Sequence, residues 1–249
     1  MIDENTNDKK YCDIETGICP VSSFKELSAA GSHEENNKVE IIYVGDPMCS
    51  WCYGISSALI QLRDHFLQTK IPFKIVVGGL RPGGGGKWDI NMKEMLKHHW
   101  EQVRQKSSRP FGYKLFELES FNYDTEPPCR AVVAARPLIG AAEMEFFEAI
   151  QRKFYVESEN PASLDFYKSI CDEFKINYSE FKTRFENEEV KDETFMEFDL
   201  NRKWGVQAFP AVILSKNNKR HFITHGYSSF EKMKNMIEKL MGPKPQSSI

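Results

Sequence analysis

The chain has 249 residues, a formal net charge of −3, 41% hydrophobic residues and 28% charged ones. That balance suits one large or two small globular domains with a real core. It excludes a helical membrane span, since no apolar run reaches the ~20 residues a bilayer needs. It also excludes a nucleic-acid footprint, since Lys and Arg are spread along the chain.

Residues 1–38 hold eight acids against four lysines and few large apolar side chains. They read as a mostly disordered arm with a short helix at Phe24–Ala30. Met1–Asp8 is acidic and polar, without the basic and apolar regions of a secretory signal, so the expected location is cytoplasmic. A mature form whose leader was removed is the alternative. Six cysteines occur, at 12, 19, 49, 52, 129 and 171. In a reducing cytosol, paired cysteines are more often catalytic or metal-binding than structural.

Val39–Gly45 is an apolar run that predicts a strand. Ile55, Leu59, Leu62 and Phe66 then recur at helical spacing, predicting a helix over about 50–68. Phe73–Gly78 is a second apolar strand, so the unit is β-α-β with parallel pairing and a right-handed crossover. Leu80–Gly86 breaks the pattern with Pro82 and four consecutive glycines. This run lacks a phosphate-loop ending and reads as a hinge. From Trp88 to about Trp204 the periodicity is helical, with Asn160-Pro161 and Ser163 marking a helix start. Ala211–Leu214 predicts a strand, Asn217-Asn218 a hairpin turn, and His221–Thr224 its partner. An amphipathic helix through Phe230, Met233, Met236, Ile237 and Leu240 follows, stopped by Pro243 and Pro245.

The order is β-α-β, a helical block, then β-β-α. It predicts an α/β chain, a thioredoxin fold with a large α-helical insertion. The expected parts are an arm at 1–38, the first part of the thioredoxin domain at 39–86, the helical domain at 87–204, the second part at 205–242 and a tail at 243–249.

Cys49-Ser50-Trp51-Cys52 falls where the first strand runs into the first helix. A helix N-terminus stabilises a thiolate on the first cysteine, and the second lies within bonding reach. Disulfide exchange needs that thiolate to attack and a neighbouring thiol to release the mixed disulfide. Cys49 is the candidate nucleophile and Cys52, deeper and less exposed, the resolving thiol. Half a zinc site and two unrelated core cysteines are the competing readings. Zinc needs two more ligands, and the adjacent His98 and His99 do not both face one ion from a helix. No metal and no cofactor are expected. Ala208-Phe209-Pro210-Ala211 precedes the third strand. Proline has no N–H for a ladder and belongs at a strand's first position. With the dithiol present, a cis Phe209–Pro210 bond packed against it is expected.

Val44–Gly54 resembles the active-site stretch of DsbA-like thioredoxin proteins, and is most similar to a FrnE-like branch with a Cys-Ser-Trp-Cys core. Glu126–Arg136 resembles that branch's helical insert, and Gly205–Pro210 its cis-proline loop. The resemblance covers about residues 39–242. It implies thiol–disulfide oxidoreductase or isomerase activity on protein or small-molecule thiols, with an upstream reductant or glutathione as a partner and neither nucleic acid nor membrane. On this reading Cys49, Cys52 and Pro210 are catalytic, and Trp51, Phe209 and Met48 are the candidate substrate-binding residues. The same fold also serves kappa-class glutathione transferases and 2-hydroxychromene-2-carboxylate isomerases, which typically use a serine; two cysteines here favour disulfide exchange. A non-catalytic metal-binding or interaction module is the third reading.

Cys12 and Cys19 lie outside the resemblance, around a turn signal at Thr16-Gly17. Three readings stand: an accessory redox pair, a weak metal chelator, and two thiols without a role. Asp13 and Glu15 argue against a fast nucleophile there. Cys129 and Cys171 fall on helices and read as core.

Overall fold

The computed structural model describes residues 19–20 and 39–242. Cys12, the expected helix at Phe24–Ala30, and Pro243 and Pro245 lie outside these residues. The elements in chain order begin with β1 (Cys19–Pro20), β2 (Val39–Gly45), α1 (Ser50–Leu67) and β3 (Phe73–Val77). The inserted helices are α2 (Ile90–Ser107), α3 (Glu126–Ile139), α4 (Glu143–Tyr155), α5 (Lys168–Glu173), α6 (Tyr178–Phe185) and α7 (Glu188–Lys203). The chain closes with β4 (Ala208–Phe209), β5 (Ala211–Lys216), β6 (Lys219–His225) and α8 (Phe230–Met241).

The main sheet has the order β3-β2-β5-β6. β2 and β3 run parallel, joined by α1, while β2–β5 and β5–β6 are antiparallel. β2 is central and reads as a continuous apolar run because both of its faces are covered. Ile41, Tyr43 and Val44 are fully buried. Asn217 and Asn218 both take positive φ, at 52° and 59°, and form the two-residue turn between β5 and β6. Asparagine tolerates that conformation and so sets the hairpin. Together these elements form the thioredoxin fold, with helices inserted between β3 and β4.

The insert covers the β3 edge, which would otherwise present unpaired backbone groups. On α7, Glu197 accepts the Val77 N–H at 2.8 Å, and Asn201 donates to the carbonyls of Val77 and Gly78 at 3.1 Å each. Arg136 on α3 pairs with Glu143 and Glu197 and donates to the Ile75 carbonyl. Trp100 is fully buried at the centre of an aromatic cluster with Phe111, Phe116, Phe154 and Tyr155, at ring-centroid distances of 4.8 to 5.8 Å. Tyr53, one residue past the dithiol, stacks on Tyr155 at 4.9 Å and anchors α1 to the insert.

The glycine run read as a hinge is held by hydrogen bonds from Gly83 N–H to Asp124 at 2.8 Å, from Gly84 N–H to the Arg81 carbonyl at 3.0 Å and from Gly85 N–H to Asn122 at 3.2 Å, with Asn122 also donating to the Gly83 carbonyl at 3.4 Å. The arm departs from expectation at Cys19–Pro20. These two residues, inside a stretch read as mostly disordered, form a strand against β4. Composition reports only that the arm cannot build its own core, and gives no sign of an edge elsewhere that accepts it.

Candidate active site

β2 ends at Gly45, and Asp46-Pro47-Met48-Cys49 forms the turn into α1. Cys49 N–H donates to the Asp46 carbonyl at 3.0 Å, and Asp46 Oδ1 accepts the Met48 N–H at 2.8 Å. Asp at the first position and Pro at the second suit such a turn, because the side chain bonds two residues on and the ring presets φ. The turn delivers Cys49 as the N-cap of α1, with extended backbone (φ −88°, ψ 116°). Cys52 follows in the first helical turn, where its thiol reaches the Cys49 sulfur.

The other side of the site comes from the far end of the sequence. The Phe209–Pro210 bond is cis, as expected from the sequence. Cys49 Sγ donates to the Phe209 carbonyl at 3.8 Å. The Pro210 carbonyl accepts the Gly226 N–H at 2.7 Å. A Cβ on Gly78 would lie 2.6 Å from the Phe209 ring, so only glycine lets β3 and this loop close on each other. The structure thus brings together Cys49, Cys52, Phe209 and Pro210 across 160 residues of sequence.

Cys49 and Cys52 are both fully buried, so Cys52 is not the less exposed of the two. Burial pushes the Cys49 thiol well above the ordinary cysteine value, reinforced by the neighbouring Cys52 thiol and opposed by the nearby Cys52 N–H. The expected lowering by the helix N-terminus is therefore overridden here, because desolvation penalises a thiolate more than one amide repays. The candidate binding residues Met48, Trp51 and Phe209 are buried as well. Trp51 packs on Tyr227 at 5.8 Å, and the Met48 carbonyl accepts the Tyr123 O–H at 2.7 Å. At Phe209, the backbone carbonyl meets the reactive sulfur.

Behind the dithiol lies a group that sequence reasoning did not single out. Asp46 is fully buried and also accepts the Leu80 N–H at 2.7 Å through Oδ2. Cys129 Sγ donates to the same oxygen at 3.5 Å. Desolvation raises Asp46 from 3.8 to about 6, against the lowering by these hydrogen bonds. Its signal in the sequence was a carboxylate three residues before the first cysteine, in a stretch otherwise apolar. Cys129 is core, as expected, yet its thiol faces this carboxylate. Burial raises it well above the ordinary value, with Asp46 adding to the rise. Cys171 is buried elsewhere in the insert. Among the described residues, no group of three His, Cys, Asp or Glu side chains is arranged to hold a metal. Among them, too, no helix is long and apolar enough to cross a membrane.

No protein-family model and no curated protein matches the chain. Solved structures do. A candidate protein disulfide isomerase from Nitrosomonas europaea is 31% identical over 82% of this chain and 98% of its own, with a TM-score of 0.75. The cytosolic disulfide reductase DsbM from Pseudomonas aeruginosa is 21% identical over 81% of this chain and 98% of its own, with a TM-score of 0.63. The same protein solved with GSH superposes with a TM-score of 0.64.

Proposed function

This chain belongs to the DsbA-like family of thiol–disulfide oxidoreductases, and from that membership and the site geometry we propose that it exchanges disulfides through Cys49 and Cys52. The observation that carries this reading is the position of Cys49. It caps α1, has the Cys52 thiol beside it, and touches the Phe209 carbonyl next to cis Pro210.

The Cys49 thiolate attacks one sulfur of a substrate disulfide. The substrate S–S bond breaks, a Cys49–substrate disulfide forms, and the other substrate sulfur leaves as a thiolate. Cys52, as thiolate, then attacks Cys49 Sγ. The mixed disulfide breaks, the second substrate thiol leaves, and a Cys49–Cys52 disulfide remains. Run backwards, the same steps oxidise a substrate dithiol. Phe209 offers backbone to an extended substrate, as in strand addition, and Pro210 holds that backbone against the sulfur. Met48 and Trp51 shape the turn around Cys49 from within. Asp46 is a positioning residue. It ties Met48 and Leu80 together beneath the dithiol, and its ionisation opposes a charge on Cys49.

Peptide disulfides are the substrate class that the β4 edge fits. Glutathione is the small thiol to test first, since a protein of the same fold was solved with it. The Cys-Ser-Trp-Cys core supports placement in the FrnE-like branch. Insulin reduction tests the reading: Cys49→Ser should abolish turnover, and Cys52→Ser should stall at a mixed disulfide. Wild-type turnover in Cys49→Ser would remove Cys49 as the nucleophile.

A further inference from the structure

The β1 pairing places a cysteine at this site that the exchange steps above do not use. β1 runs antiparallel to β4, with Cys19 opposite Phe209 and Pro20 opposite Ala208. Phe209 is the residue whose carbonyl contacts Cys49 Sγ at 3.8 Å. Paired strands lie about 4.7–4.9 Å apart. The register therefore sets the Cys19 backbone one strand spacing from the residue that touches the reactive sulfur. Extended peptides bind sheet edges in this way, through main-chain hydrogen bonds. The chain's own cysteine thus sits where a substrate strand would lie.

Two further observations fit an internal occupant. Cys49 is fully buried, so an external disulfide reaches it only after something moves aside. β1 is held by a ladder of only two residues, and pairings of that size open at low cost. The acids flanking the arm's cysteines disfavour a fast free thiolate, but an exchange held in register does not need one. Intramolecular placement supplies a high effective concentration.

Resting on the exchange chemistry proposed for Cys49 and Cys52, we propose that Cys19–Pro20 is a built-in substrate strand whose Cys19 exchanges disulfides directly with Cys49. Starting from a Cys49–Cys52 disulfide, the Cys19 thiolate attacks Cys49 Sγ. The Cys49–Cys52 bond breaks, and its electron pair leaves on Cys52, which takes up a proton. The Cys12 thiolate then attacks Cys19 Sγ, Cys49 leaves as the thiolate, and a Cys12–Cys19 disulfide forms. Two electrons have passed from the arm to the dithiol, and the same atoms carry them back in reverse. Six residues separate Cys12 from Cys19, a spacing that permits a disulfide across a turn. The strand thereby reports the redox state of the arm to the site and excludes peptide substrates while it is seated.

Two full-length double variants test this, Cys12→Ser/Cys52→Ser and Cys12→Ser/Cys52→Ala, each oxidised with glutathione disulfide and mapped by peptide mass spectrometry without reduction. Both remove the two thiols that would resolve the linkage, and two different replacements at 52 keep the test open if one of them misfolds. The expected product in both is a Cys19–Cys49 linkage within one chain, lost on adding Cys19→Ser. A glutathione adduct on Cys49 with Cys19 unlinked would overturn the proposal and leave the exchange function standing. A Cys49 that forms neither product would overturn both.

Discussion

Asp46 offers a prediction whose size follows from the structure. The fold holds its proton up to a pH of about 6, against 3.8 for an unburied aspartate. Between those values the folded chain binds a proton that the unfolded chain has released. Stability therefore falls as pH rises through that window and levels off above it. At about 1.4 kcal/mol per pH unit the gap amounts to about 3 kcal/mol in all, of which about 2 kcal/mol falls between roughly pH 4 and pH 7. Asp46→Asn removes the titration. It also leaves one of the Met48 and Leu80 N–H groups without an acceptor, a pH-independent loss of ~1–3 kcal/mol. Urea unfolding of the reduced protein at a series of pH values separates the two effects. Wild type minus Asp46→Asn should shrink by about 2 kcal/mol from pH 4 to pH 7. Glu126 and Glu143 are also raised by burial, but they titrate in both proteins and cancel in the difference. Parallel curves for the two proteins would refute a carboxyl held protonated beneath the dithiol.

Two further substitutions probe how the site is held. Tyr123→Phe deletes the buried donor to the Met48 carbonyl and should cost ~0.5–1.5 kcal/mol in urea unfolding, with faster alkylation of the buried Cys49 as the turn loosens; wild-type values for both would mean that the hydroxyl does not fasten the turn. Trp100→Ala empties the centre of the aromatic cluster and should cost ~3–5 kcal/mol, read from the same unfolding curves; a loss below about 1 kcal/mol would mean that the insert repacks around it.

The sequence made legible what depends on local pattern and covalent spacing. Alternating stretches of strand and helix periodicity in 39–78 and 211–240 specified the parallel β2–β3 pair and the β5–β6 hairpin, but not the β2–β5 pairing that joins them into one sheet. Asn217-Asn218 specified its turn by its own conformational tolerance. Cys49-Ser50-Trp51-Cys52 marked the dithiol, because strand, turn and helix cap follow one another within a dozen residues. Long-range desolvation was not legible. Asp46 is hydrogen-bonded by Leu80 and Cys129, distant in sequence, and burial raises the Cys49 thiol where a helix N-terminus alone would lower it. Cys19 was legible as a chemical oddity but not as a strand. A two-residue ladder has no periodicity of its own, and its partner Phe209 lies 190 positions away.

Disulfide exchange at this site requires Cys49 and Cys52 to form one redox couple. Equilibrating the Cys12→Ser/Cys19→Ser protein in glutathione buffers of graded ratio, then acid-quenching and mapping the thiols, measures that couple directly. Cys49 and Cys52 should lose their thiols together, in a single two-electron transition that ends in a Cys49–Cys52 disulfide, while Cys129 and Cys171 stay reduced. Cys49 and Cys52 remaining free at every ratio, or oxidising independently of each other, would contradict it.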